Sequence, residues 1–415
     1  MPISARHQLN VAIACGGTGG HLFPGLAVAE ELLCRDADVT LMVSEKDIDQ
    51  LAVRTAPELR VVTLPAVGLS KGRLGGFVKG FVQSYRAASR LFKTQPPNAV
   101  LAMGGFTSAP PVLAGRRYGA AAFLHESNTI PGRANRWLSR VVNQAFVGFP
   151  EAASRLNARR SSVTGTPVRG RFQGLNAESC RIALGLDSKR PVVLVMGGSQ
   201  GAHGINDLVS RSLPLLAQRG ANWQWLHLTG TAEAQAMEQA YRAAGLAAKV
   251  FPFFSQMELV MGAANAAVSR AGASSLAELA ATRLPSLLVP FPAATDNHQF
   301  WNARAFEQTG AAKMLEQNAA RPEQFVELLS GLMQNEELRR TIQSSLATWH
   351  KPHAAEQIAE SMLQFLSTPK SAATIAARKT GADDSRADST AHRDQTTLRS
   401  AAKEPLARRQ PATLV

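Results

Sequence analysis

Two doubly wound α/β domains facing a central cleft are the architecture that this sequence of 415 residues predicts. Three observations carry the prediction. An apolar run at the N-terminus ends in a glycine-rich loop and leads into a helical pattern; the same strand-and-loop grammar restarts near residue 192; and the apolar runs between them are spaced widely enough for crossover helices, as a parallel sheet requires. At about 100 to 200 residues per domain, the length also asks for two domains or three.

The elements follow in order. VAIAC at 11 to 15 reads as a buried strand, Gly16, Gly17, Gly19 and Gly20 as a tight loop, 22 to 34 as an apolar-periodic helix and VTLMV at 39 to 43 as the next strand. Further strands are predicted at 60 to 64, 99 to 103 and 121 to 125, which makes residues 8–165 one domain. After GTPVRGRF, the second domain, 166–351, opens with strand VVLVM at 192 to 196, loop GGSQGAHG at 197 to 204 and a helix to about Leu216. Its other strands are predicted at 224 to 228, 266 to 268 and 286 to 290. From Ser367 to Val415 the chain has no aromatic residue and mixes Ala, Ser, Thr, Arg and Asp, the composition of a disordered basic tail.

Composition narrows the function. Hydrophobic residues are 45% and charged residues 18%, which excludes wholesale disorder. A net charge of +14 points to an anionic partner: nucleic acid, a phosphorylated substrate or a membrane surface. Cys15, Cys34 and Cys180 are odd in number and far apart, which suits neither a disulfide framework nor a zinc site and fits a reducing cytosol. No stretch approaches the roughly 18 apolar residues of a membrane span, so membrane association is expected to be peripheral.

Several motifs carry chemistry. Loops GGTGGH (16 to 21) and GGSQGA (197 to 202) each stand between a strand and a helix, where backbone N–H groups and the helix dipole favour a phosphate. A tight turn that binds nothing has the same signature; two loops in matching positions favour the phosphorylated ligand. Neither has dinucleotide spacing, which disfavours a nicotinamide dehydrogenase, and neither is a P-loop. His21, at the start of a helix, is in a position that keeps an imidazole neutral and suits a general base, although position alone leaves a helix-start histidine bonded to a backbone group as the plainer reading. HESN at 125 to 128 places Glu126 and Asn128 at the C-terminal edge of the first sheet, facing the cleft. Glu278, in SRAGASSLAEL, either serves its own helix or takes the hydroxyls of a ribose. In VPFPAATDNHQFWN the Asp, Asn, His and Gln are groups of the kind that fix a sugar; Asp296 and His298 lack a third metal ligand. Asp36 and Asp38 spell D-x-D at the wrong end of the sheet and read as a turn.

Charge is unevenly spread. Between Glu58 and Glu126 there is no acidic residue, whereas Arg60, Lys71, Arg73, Lys79, Arg86, Arg90, Lys93, Arg116 and Arg117 are basic. Leu69, Leu74, Phe77, Val78 and Phe81 lie among them, a mixture that suits insertion into anionic headgroups, though an ordinary amphipathic helix with a solvated basic face has it too.

Taken together, GGTGGHLFPGLAVAEEL, MGGFTSAP, HESN, GTPVR, GGSQGA, SRAGASSLAEL and DNHQFWNA, in that order over about 350 residues, resemble the MurG family of peptidoglycan N-acetylglucosaminyltransferases. The resemblance implies a GT-B fold whose last helix, about 352–366, crosses back onto the N-terminal acceptor and membrane domain, with the C-terminal domain taking the UDP-sugar donor. It implies inverting transfer of N-acetylglucosamine from UDP-GlcNAc to the C4 hydroxyl of the muramoyl sugar on undecaprenyl diphosphate (lipid I to lipid II), without cofactor or catalytic metal. Its donor positions fall on Thr18, Gly19, Gly20, Asn128, Arg169, Ser199, Phe254, Ala273, Ser274, Ser275, Leu276, Ala277, Glu278 and Gln299. Among these Glu278 would take the ribose hydroxyls, the Phe254 backbone the uracil, Ser199 the diphosphate, and Asn128 and Gln299 the sugar. His21 and Glu126 are the candidate bases. The acceptor and membrane set is Lys71, Arg73, Leu74, Phe77, Lys79, Phe81, Gly104, Gly105 and Phe106. Phe106 replaces the family's frequent Tyr and Ser127 its common Gln, and the tail has no family counterpart. The implied setting is the cytoplasmic face of the inner membrane, peripherally bound, with no nucleic-acid partner. A GT-B glycolipid synthase acting on diacylglycerol is the nearest rival.

Overall fold

The computed structural model describes residues 9–15, 19–45, 59–65, 74–198 and 201–368. They form two all-parallel sheets. The first takes its strands in the order β3-β2-β1-β4-β5-β6-β7, from β1 (Asn10–Ala14), β2 (Asp38–Ser44), β3 (Arg60–Leu64), β4 (Ala99–Ala102), β5 (Ala121–Glu126), β6 (Gln144–Val147) and β7 (Ser161–Val163). The second runs β10-β9-β8-β11-β12-β13, from β8 (Val192–Met196), β9 (Gln224–Leu228), β10 (Ala247–Phe251), β11 (Ala266–Ser269), β12 (Ser286–Leu288) and β13 (Lys313–Met314).

Helices cover both faces of each sheet, so the central strands are buried on both sides and read as unbroken apolar runs; Val11, Ile13, Val192 and Val193 have no exposed surface. In each sheet the order reverses beside the first strand, between β1 and β4 and between β8 and β11. A crevice opens there at the carboxyl ends of the strands. The two glycine loops follow β1 and β8, at the two switch points.

The last helix, Ala354–Ser367, belongs to the first domain's core. Ala355, Ile358, Ala359, Met362 and Leu366 join its apolar cluster, and Phe365 meets the ring of Phe123 edge-on at 5.5 Å. Burying side chains the size of Ile358, Met362 or Leu366 stabilises by about 1.5–3 kcal/mol each. Outside the core, Arg35 faces Glu356 and Glu360 at 3.5 and 3.4 Å, and Gln144 Nε2 donates to the Ser361 hydroxyl at 3.1 Å. The helix ends at Ser367, where the sequence changes character; residues 369–415 lie outside the described residues.

Candidate active site

A cleft of about 500 Å³ lies between the two domains and is lined by the segments that follow β1, β4, β5, β8, β10, β11 and β12. On its N-terminal side, His21 is in the first turn of the helix Gly19–Leu33, half-buried. Gly104, at φ 119°, leaves the space that the imidazole fills: a Cβ there would meet His21 Cε1 at 2.7 Å and Nδ1 at 2.8 Å. The Ser108 hydroxyl fixes the same loop by donating to the carbonyls of Ala14, at 2.9 Å, and Gly104, at 2.6 Å.

Glu126 ends β5 and is 1% exposed. Its Oε1 accepts from the Asn128 amide N–H at 2.9 Å and Asn128 Nδ2 at 3.1 Å; its Oε2 accepts from the Gly132 N–H at 3.0 Å and Asn135 Nδ2 at 2.8 Å. Four N–H donors fill the acceptor sites of the carboxylate, so Glu126 moulds the loop from 127 to 135 and has little left for a substrate proton. Asn135 Oδ1 is buried on the cleft floor with no partner among the described residues. His125 faces away: Nε2 bonds the Gly165 carbonyl at 3.1 Å, Nδ1 pairs with the Ser127 hydroxyl at 3.2 Å, and burial pushes the ring down to about 4, which keeps it neutral.

On the C-terminal side, Glu278 points from the helix Ala273–Ala281 into the cleft. Burial pushes its carboxyl up to about 7, Arg169 pulling it back and Glu258 raising it further. Arg169, 5% exposed, lies over the Phe23 ring at 5.1 Å. Arg270, at the end of β11, donates to the carbonyls of Val289 and Pro290 at 3.0 and 3.3 Å and to Gln317 Oε1 at 2.6 Å, which fixes the exit of β12. Gln299 Oε1 accepts from the Phe291 N–H at 3.0 Å, and Phe254 lines the cleft with its ring 5.0 Å from Phe251.

A polar seam joins the two walls. Asn302, fully buried, accepts from the Thr129 N–H and hydroxyl at 3.0 Å each, and its Nδ2 donates to the Ala271 carbonyl at 3.1 Å and to Asn128 Oδ1. Pro24 has no N–H, so the Gly20 carbonyl one turn before it lacks its intrahelical donor. The Ser274 hydroxyl of the opposite domain donates to that carbonyl at 2.8 Å. Asp296 meets Arg136 at 2.7 Å and Arg133 at 3.6 Å.

The comparisons with known proteins agree with this geometry. Residues 11–147 match the glycosyltransferase family 28 N-terminal domain, and residues 192–360 match its C-terminal domain. Relatives named UDP-N-acetylglucosamine–N-acetylmuramyl-(pentapeptide) pyrophosphoryl-undecaprenol N-acetylglucosamine transferase are 35% identical in Anaeromyxobacter sp. strain K and 38% identical in Pelobacter propionicus. They match over 86% and 80% of this chain respectively, and over 93% of each relative. The solved structure of Acinetobacter baumannii MurG superposes with a TM-score of 0.66 at 26% identity, over 86% of this chain and 99% of that one.

This chain belongs to the MurG family. Its fold is GT-B, shared also with the calicheamicin glycosyltransferase CalG4 at 16% identity and a TM-score of 0.60, over 87% of this chain and all of that one. Of the positions that the MurG resemblance implies, Gly19, Gly20, His21, Gly105, Phe106, Glu126, Asn128, Phe254, Ala273, Ser274, Ser275, Glu278 and Gln299 line the one cleft. Gly104 and Arg169 stand directly behind lining residues. Leu276 is buried behind the wall, and Ala277 is half-buried in the same helix. Thr18, Ser199, Lys71 and Arg73 lie outside the described residues. Leu74 begins the helix Leu74–Thr94. Phe77 and Phe81 on that helix are half-buried, Phe77 lying 5.5 Å from the ring of Phe106, while Val78 and Lys79 are exposed.

Sequence reasoning overlooked Asn302, Asn135, Arg270 and the Arg133–Arg136–Asp296 group. Asp296, one of the polar groups of VPFPAATDNHQFWN, is engaged by these arginines. Asn128 likewise spends both ends of its amide, on Glu126 and on Asn302. The seam had no signal in the sequence: in a helix predicted from Leu22, Pro24 stands in the first turn and breaks no bond, and only the observed start at Gly19 makes the Gly20 carbonyl an orphan.

Proposed function

We propose that this chain transfers N-acetylglucosamine from UDP-GlcNAc to the C4 hydroxyl of the muramoyl sugar of undecaprenyl-diphosphate-linked MurNAc-pentapeptide, with inversion at the anomeric carbon. The observation that carries the reading is that one cleft has His21 on one wall and Glu278 on the other. The C-terminal domain, 166–351, takes the donor: Glu278 accepts from the ribose hydroxyls, Arg169 tempers the charge beside it, and the glycine loop at 197 to 202 receives the diphosphate at a helix N-terminus. The N-terminal domain, 8–165 with the returning helix, takes the acceptor against Gly104, Gly105 and Phe106.

His21 removes the proton of the attacking hydroxyl. Its side chain opens on the cleft beside Gly104, where an acceptor hydroxyl would lie. Glu126 acts through the loop it holds. Negative charge that develops on the departing UDP meets backbone N–H groups and the helix dipole.

The acceptor's lipid stays in the bilayer, so the enzyme works peripherally at the cytoplasmic face of the inner membrane. The helix Leu74–Thr94, with Val78 and Lys79 exposed and no acidic residue, faces anionic headgroups. Among the described residues no helix is long and apolar enough to cross a membrane. The basic charge is assigned to this surface and the phosphorylated ligands, and nucleic acid to neither. A turnover assay with UDP-GlcNAc, run with lipid I and with diacylglycerol as alternative acceptors, tests the reading; transfer to diacylglycerol alone overturns it.

A further inference from the structure

Asp296 is the first of two consecutive residues held in the left-handed region, at φ 51° and, for Asn297, φ 53°. Asp and Asn enter that region more readily than other side chains, yet two in succession are strained and persist only where their surroundings hold them. The turn is closed locally by the Asn297 N–H on the Ala294 carbonyl at 2.9 Å, and the Asp296 carboxylate is held by the other domain. Arg136 Nη2 donates to Asp296 Oδ2 at 2.7 Å, and Arg133 Nη2 stands 3.6 Å from Oδ1, both from the helix Arg133–Leu138. The next helix, His298–Gln308, starts at once, with Gln299 in its first turn at the cleft and its amide oxygen holding the Phe291 N–H.

Resting on the donor reading above, we propose that Asp296 is a positioning residue. The two arginines of the acceptor domain draw its carboxylate across the cleft, hold the Asp296–Asn297 turn in its left-handed form, and so set Gln299 against the transferred sugar only when the domains are closed. The donor-sugar subsite is then completed by the acceptor domain through Asp296, whereas the ribose subsite at Glu278 does not run through Asp296: its helix is anchored in its own domain's core through Leu276 and Leu279 and meets the acceptor domain separately, by Ser274 on the Gly20 carbonyl. The side chains of Asp296, Arg136 and Arg133 are 28%, 44% and 66% exposed, so the latch is open to screening by salt.

Calorimetric titration of the full chain with UDP-GlcNAc and with UDP separates the two subsites. Asp296→Asn keeps a residue that tolerates the left-handed turn and removes its charge; the double variant Arg133→Gln, Arg136→Gln removes the partners. Each is expected to weaken UDP-GlcNAc about two- to fivefold, the size that partly exposed ion pairs supply, while UDP changes less than twofold. The triple variant should bind no worse than either, and added salt should weaken UDP-GlcNAc more than UDP in the wild type but both alike in Asp296→Asn, since the diphosphate is screened in every variant. Equal losses for UDP and UDP-GlcNAc would mean a general structural role and overturn the proposal. So would a loss in Asp296→Asn with none in the arginine variant, which would place the carboxylate on the sugar itself. Wild-type protein that binds UDP but shows no gain from the sugar overturns the subsite; wild-type protein that binds neither ligand overturns the donor reading on which it rests.

Discussion

Asn302 Nδ2 donates to Asn128 Oδ1 at 3.0 Å, joining residues 174 positions apart across the cleft. Through the same side chain Thr129 and Ala271 are satisfied as well, so a single buried amide serves both domains. Truncation in Asn302→Ala leaves a buried N–H, a hydroxyl and a carbonyl without partners. The expected cost is about 2–4 kcal/mol, since each orphaned buried group costs roughly 1–3 and some relaxation follows. Urea unfolding with far-UV detection checks it. A midpoint indistinguishable from wild type would show that the seam is solvated and carries no stability.

Glu278 makes donor binding depend on pH. An ionised carboxylate accepts from both ribose hydroxyls; a protonated one cannot. Because burial pushes this carboxyl up to about 7, UDP affinity should be full above pH 8 and fall as pH drops through 7, by up to about tenfold per unit. Binding below pH 7 should therefore release a proton, which calorimetry in two buffers of different ionisation enthalpy reads directly. UDP's own phosphate also titrates, and that part is common to Glu278→Gln, whose profile should lack the difference. Glu278→Ala is expected to lose about 1.5–3 kcal/mol of UDP binding. Unchanged affinity in the folded variant removes Glu278 from the site.

The fold was legible where burial is two-sided. β1, β4, β5, β8, β9 and β11 are short apolar runs that end in glycine or polar turns, and the sequence names nearly their true bounds. It passes over β6, a buried but four-residue QAFV, and the thin edge strands β7, β10 and β13, which are two to five residues long, only partly buried and carry no unbroken apolar run. The first helix begins at Gly19 and not at Leu22, because the glycines that read as loop also form its first turn. Glu126 and Glu278 were legible as candidates because each follows a strand end. Which of them is free to do chemistry was not, since the four donors on Glu126 come from Asn128, Gly132 and Asn135 in a loop whose shape no periodicity encodes.

That difference separates the two candidate bases. His21→Asn is expected to lower kcat by about 10²- to 10⁴-fold with UDP affinity intact, the usual share of a general base. Gly104→Ala should lower kcat by about 10- to 100-fold without touching His21 chemically, because the new Cβ occupies the ring's place. Glu126→Gln turns one acceptor oxygen into a donor facing N–H groups, so it should reduce thermal stability and donor affinity together. If Glu126→Gln loses far more turnover than His21→Asn while stability and donor affinity hold, the roles are reversed.

The helix Leu74–Thr94 offers the membrane two separable attractions. Val78 and Val82 are 51% and 37% exposed, whereas Phe77 and Phe81 are turned toward each other and toward Phe106, so the valines are the apolar groups that reach outward. Lys79, Arg86, Arg90 and Lys93 follow them on the exposed face. Attraction of these cations to anionic headgroups is screened within about 8 Å at physiological salt; burial of the valines is not. Sedimentation with anionic vesicles should therefore show a salt-sensitive part, reduced by Lys79→Gln with Arg86→Gln, and a salt-resistant remainder, removed by Val78→Ser with Val82→Ser. The basic residues after Thr368 act in the salt-sensitive part only, so a chain ending at Thr368 should keep the remainder. If that shortened chain leaves the vesicles even at low salt, attachment resides in the tail and the helix faces water.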